Sequence, residues 1–157
     1  MKKTIFRIAW AAAIGAIAAM AVILGCTTVS TTGGPETAPA DLSAAVMDRL
    51  VSAYEQRDVP GFMTLVSARY LGGYEDLQTA LEDSLKTTVS IELDVRPERI
   101  WESEDGMIFM DAGWSKTITR RDVPGVEITF GRVTAIFIRY KADVIKLFAQ
   151  KGDPVFP

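Results

Sequence analysis

The chain of 157 residues contains no histidine. That removes the usual general base near neutral pH, the commonest metal ligand, and any serine–histidine or cysteine–histidine nucleophile pair. Cys26 is the only cysteine, so an intrachain disulfide is impossible. No glycine-rich phosphate cradle follows a strand pattern. The chemistry left is a carboxylate working with a tyrosine or an arginine. Tyr54, Tyr70 and Trp101 are the aromatic residues that could line a pocket, although an aromatic residue on an amphipathic stripe more often serves the core. Trp114 with Arg132 reads as a cation–π pair near a rim, worth about 0.5–1 kcal/mol if exposed, or as a pocket mouth for an anionic or aromatic ligand. Asp58 reads first as a helix cap, and Asp111 as a surface carboxylate near Arg139. No metal site and no cofactor is expected.

These residues need elements to position them. Leu42, Val46, Leu50 and Tyr54 recur at four-residue steps, the stripe of an amphipathic helix capped by Asp41 or Ser43. Asp58 and Pro60 start a short second helix that buries Phe62, Leu65 and Val66. Ala68 to Leu71 reads as a brief extended stretch, and Tyr74, Leu77, Leu81 and Leu85 mark a third helix to about Lys86. The period then changes to two. Val89 to Val95 is a half-buried strand that Pro97 weakens or ends, with Ile100-Trp101 resuming it. Glu104-Asp105-Gly106 turns into a strand from Met107 to Thr119. Further strands span Val126 to Tyr140 and Val144 to Phe148, and Phe156 tucks back. A hairpin closing around Asp122 to Pro124 sets Met110 opposite Ile136 and Trp114 opposite Arg132. In that register Ile128, Phe130, Ile136 and Ile138 face the core. Phe109 and Phe137 then meet on the outer face beside Val133, and those three are the candidate interface residues. Three helices followed by an antiparallel meander imply an α+β domain, with three N-terminal helices packed on a curved antiparallel sheet.

A different signal precedes the domain. Lys2, Lys3 and Arg7 form a basic head, and Ile8 to Leu24 carries no charge. Ile23-Leu24-Gly25-Cys26 resembles the lipobox of bacterial lipoproteins. The resemblance implies a signal peptide over 1–25, removed before Cys26, and acylation of that cysteine with chains such as palmitate. An uncleaved membrane anchor is the alternative, since the apolar run is near the length of a bilayer span. Thr27, rather than Asp, after the cysteine resembles lipoproteins sent to the outer membrane, facing the periplasm, if the host is Gram-negative. Residues 26–40 are small and turn-forming and read as a tether, leaving 41–157 for one core. Removing the signal removes three cations and leaves all 20 acidic residues. Nucleic acid is therefore not expected as a partner.

The stripe ending in Tyr54-Glu55-Gln56-Arg57-Asp58, then Phe62, and the order of elements after it, resemble nuclear transport factor 2-like domains. The resemblance covers about residues 41–157. It implies a cone-shaped sheet wrapped round the helices, often with an internal pocket, in a family of isomerases, dehydratases and non-catalytic binding domains. The expected function is a membrane-anchored envelope lipoprotein, without catalysis, whose domain binds a partner protein, a second copy or a small apolar ligand. The alternative is an isomerase- or hydratase-like enzyme with a carboxylate–tyrosine site inside the cone.

Overall fold

The computed structural model describes residues 38–141 and 144–157. The expected signal peptide, the lipobox with Cys26 and most of the tether lie outside the described residues. Helix α1 spans Pro39–Glu55 and begins earlier than the expected caps. Ala38 precedes it without a side-chain cap, and the fixed φ of Pro39 suits the first turn. Asp41 sits inside that turn, and the buried Ser43 hydroxyl donates to the Ala40 carbonyl at 3.0 Å. Val46, Leu50 and Tyr54 are buried along one face, as their spacing requires.

Asp58 does cap the next helix. Its Oδ1 accepts from the Gly61 amide at 2.9 Å at the start of α2, Val59–Thr64. The helix stops before Leu65 and Val66. Val66 instead makes a parallel bridge with Leu147, and the Ser67 amide donates to the Leu147 carbonyl. The extended contact thus falls at Val66, while Ala68 to Leu71 holds turns. Helix α3, Tyr74–Lys86, buries Leu77, Leu81 and Leu85.

The four strands are β1 (Thr88–Glu102), β2 (Ile108–Arg120), β3 (Val126–Lys141) and β4 (Val144–Gly152). They form one antiparallel sheet in the order β1-β2-β3-β4. Pro97 does not end β1: a register shift between Pro97 and Arg99 absorbs the missing donor and the strand runs on. The helices, the inner sheet face and Phe156 share one core. Each fully buried large apolar side chain there contributes about 1.5–3 kcal/mol relative to exposure.

The β2–β3 register differs from expectation by one residue. Met110 pairs with Ala135 and Trp114 with Gly131. A slip of one residue turns every side chain of a strand to the other face. Phe137 (0 % exposed), Ala135 and Val133 therefore line the core. Val126, Ile128 and Phe130 face outward, 58 %, 67 % and 81 % exposed.

Candidate ligand-binding site

The inner face of β2 carries Ile108, Met110, Ala112 and Trp114 in succession, and all four are buried. Two residues further along the same face comes Lys116, which pairs with Thr129 of β3. The Lys116 ammonium lies 5.3 Å from the centre of the Trp114 ring and 5.7 Å from that of Tyr54. It donates to the Val155 carbonyl at 2.9 Å. The Trp114 indole N–H donates to the Asp153 carbonyl, also at 2.9 Å. Two anchors therefore hold the segment after β4 across the inner sheet face. Gly152, at φ +93°, makes the turn that sends it there.

Beyond these contacts a pocket of about 320 Å³ opens between Tyr54 of α1, Ser84 of α3, Trp114 and Lys116 of β2, Glu127 and Thr129 of β3, and Phe156. Deeper in, Phe156 packs edge-on against Phe62 and Tyr54, with centroids 4.8 and 5.5 Å apart. These rings fill the space behind the pocket, so it is a shallow mouth over a packed interior.

Burial pulls the Lys116 ammonium below its ordinary value of 10.5; Glu127 works against this shift and Arg120 adds to it. Burial pushes the Tyr54 hydroxyl above 10.0, opposed by Ser84 and Arg120. Glu127, the carboxylate side chain lining this pocket, is held by Arg120 at 3.2 Å. The Thr129 hydroxyl is buried without a hydrogen-bond partner among the described residues. The arrangement offers two aromatic walls and an ammonium that has lost part of its hydration and no acidic side chain within ion-pair distance among the described residues. Such a site favours an apolar ligand that carries an anionic group.

Of the residues expected at a site, Tyr54 and Trp114 meet here. Tyr70 does not: it is half-buried against the core and its hydroxyl accepts from Gln150 at 3.1 Å. Trp101 lies on the outer sheet face, stacked on Phe109 at 5.2 Å under the Arg99 guanidinium. Arg132 is also on the outer face, opposite Gly113, and reaches Glu98 at 3.5 Å. Lys116, not Arg132, is the cation beside Trp114. The expected interface of Phe109, Val133 and Phe137 does not form, because Val133 and Phe137 are core residues and Phe109 pairs with Ile136. Asp111 is a surface carboxylate as expected, but its partners are Arg99 at 2.9 Å and the Thr134 hydroxyl at 2.7 Å. Sequence reasoning passed over Lys116, although its two-residue step from Trp114 was the signal that could have found it.

No protein-family model and no curated protein matches the chain. Solved structures do. A nuclear transport factor 2-like superfamily protein from Salmonella enterica superposes with a TM-score of 0.63 at 13% identity, over 76% of this chain and 95% of that one. The fold is nuclear transport factor 2-like. A conserved protein from Planctomyces limnophilus gives 0.64 at 21% identity, covering 71% and 93% of the two chains. A ketosteroid isomerase-like protein from Erwinia carotovora gives 0.60 at 10% identity, covering 73% and 95%. At these identities the likeness is one of fold, and the curved antiparallel sheet around helices is the nuclear transport factor 2-like cone.

Proposed function

We propose that this chain is a lipid-anchored, non-catalytic protein of the bacterial cell envelope whose domain binds a small apolar ligand bearing an anionic group. One observation carries the ligand: the ammonium of the half-buried Lys116 sits between the rings of Tyr54 and Trp114 at the mouth of the cone. The anchor rests on the basic head, the uncharged run and Gly25-Cys26. The non-catalytic reading rests on the pocket's chemistry. Glu127 is half-exposed and engaged by Arg120, and no other acidic side chain among the described residues lines the pocket to serve an isomerase- or hydratase-like step. The pocket volume lies at the small end for ligand sites, which fits an aromatic carboxylic acid of one or two rings.

The test compares 2-naphthoate with its neutral amide, titrated against the full chain and followed by tryptophan fluorescence. The carboxylate should bind more tightly than the amide, and Lys116→Met should weaken the carboxylate about tenfold while leaving the amide unchanged. Equal affinities for both compounds, unaltered by Lys116→Met, would refute the ligand reading. The anchor has its own test. Intact mass of protein taken from membranes should show a chain that begins at an acylated Cys26, and Cys26→Ala should abolish the lipid. A wild-type mass without lipid removes the anchor and leaves the ligand reading standing.

A further inference from the structure

The β3 strand is longer than the partner on its far side. Pairing with β4 ends where Val133 meets Gly152, yet β3 begins at Val126. Asp153 closes one further position: its amide donates to the Arg132 carbonyl at 2.9 Å, and its carboxylate accepts the Arg132 amide at 3.2 Å. Those two bonds fix the direction of the backbone. Amide and carbonyl of Arg132 both point away from β2, and the pattern alternates along a strand. The amides and carbonyls of Phe130, Ile128 and Val126 must point the same way. Among the described residues nothing pairs with them there.

The side chains of the same three residues are exposed on the outer face, so open backbone and apolar surface coincide. Natural sheets protect such edges with lysine, proline, bulges or a covering loop. Between Val126 and Phe130 this edge has no lysine and no proline, and no register shift interrupts its pairing with β2. Glu127 faces the inner side and is engaged by Arg120. Outward neighbours on β2 are Ser115, Thr117 and Thr119, which are uncharged.

We infer that the Val126–Phe130 edge of β3 pairs antiparallel with the same edge of a second copy, joining two sheets into one. The edge is complementary to itself. With Ile128 opposite Ile128 on the two-fold axis, Val126 of one copy stands opposite Phe130 of the other, and each open residue meets an open residue. The seam cannot lengthen, because the hairpin turn that ends at Gly125 bounds it on one side and Asp153 occupies Arg132 on the other. A longer extended peptide would leave its ends unpaired, whereas a second copy matches the opening in length. No charged side chain on the seam's outer face opposes its equivalent. The contact area is small against the ~800 Å² per partner of a standard interface, so the dimer forms with rising local concentration and dissociates on dilution.

The test uses the full chain in non-ionic detergent, with sedimentation and residue-resolved amide hydrogen exchange at two concentrations about a hundredfold apart. Dimer should accumulate at the higher concentration, and the Ile128 and Phe130 amides should exchange about tenfold more slowly there. The Thr129 amide, which points to β2, should not change. Ile128→Pro deletes one edge donor without touching the β2 ladder, and Phe130→Lys adds a charge to the seam. Each should hold the chain monomeric with a melting temperature within about 4 °C of wild type. A chain that stays monomeric at both concentrations overturns the inference. So does a dimer in which the Ile128 and Phe130 amides exchange as fast as in the monomer, since its contact would then lie elsewhere.

Discussion

Gly131 owes its lack of a side chain to its neighbours. A Cβ there would come within 2.6 Å of the Asp153 Cβ and 2.8 Å of a Trp114 ring carbon. Both are fixed, Trp114 by its bond to the Asp153 carbonyl and Asp153 by its bonds to Arg132. Gly131→Ala should therefore destabilise the fold by about 1–3 kcal/mol, the usual cost of overpacking. Urea titration reads this as a lower midpoint at unchanged slope, and an unchanged midpoint would mean that the segment after β4 is loosely held. Lys116 makes a prediction of the opposite kind. Its folded pKa lies below 10.5, so the unfolded chain binds more protons than the folded one in the interval beneath that value. Stability from this group climbs as pH rises toward 10.5. Tyr54 acts in reverse: its pKa is raised in the fold, so stability is lost as pH rises past 10.0. Relative to wild type, Lys116→Met should be most favoured at neutral pH, and the gap in melting temperature should narrow through the alkaline interval. A gap independent of pH would place Lys116 in solvent. Neither Lys116 nor Gly131 stood out in the sequence. A lysine on a strand reads as a surface group unless its two-residue step from a core-facing neighbour is followed, and a glycine in a strand does not reveal which side is crowded.

At the scale of elements, the helices were legible and one hairpin was not. The stripes of α1 and α3 have a single apolar face each, so periodicity alone decides what is buried. Strand β3 has two. Val126, Ile128, Phe130, Ile136 and Ile138 occupy one face, and Val133, Ala135 and Phe137 the other. Hydrophobicity cannot choose between them, and the choice falls to the β2–β3 turn, where Gly125 at φ +107° sets a closing pair of Thr119 and Val126. That one-residue difference moved Phe137 and Val133 into the core, carried Arg132 away from Trp114 and left Lys116 in its place. The capping of α2 was legible because Asp58 followed by Pro60 has few other readings. Removing that carboxylate leaves the Gly61 amide without its acceptor. Asp58→Ala should cost about 1 kcal/mol, visible as a small fall in melting temperature with an unchanged circular dichroism spectrum at low temperature. No change in melting temperature would show that solvent replaces the cap at no cost.

For the whole molecule, the cone is closed from within by Phe156, which the sequence placed only as tucking back. It is 1 % exposed and meets Phe62 and Tyr54 edge-on. Phe156→Ala should cost about 3–5 kcal/mol and deepen the pocket, so that the variant melts earlier and accepts a bulkier ligand than wild type. A stability loss below the range of a simple exposed substitution would mean that the rings repack and the mouth owes its depth to other residues. What that mouth holds decides the function. The most direct measurement is a crystal structure of the chain grown with 2-naphthoate. The predicted result is a ring between Tyr54 and Trp114 with its carboxylate in hydrogen-bond reach of the Lys116 ammonium. A mouth without ligand, or 2-naphthoate seated elsewhere on the domain, would contradict it.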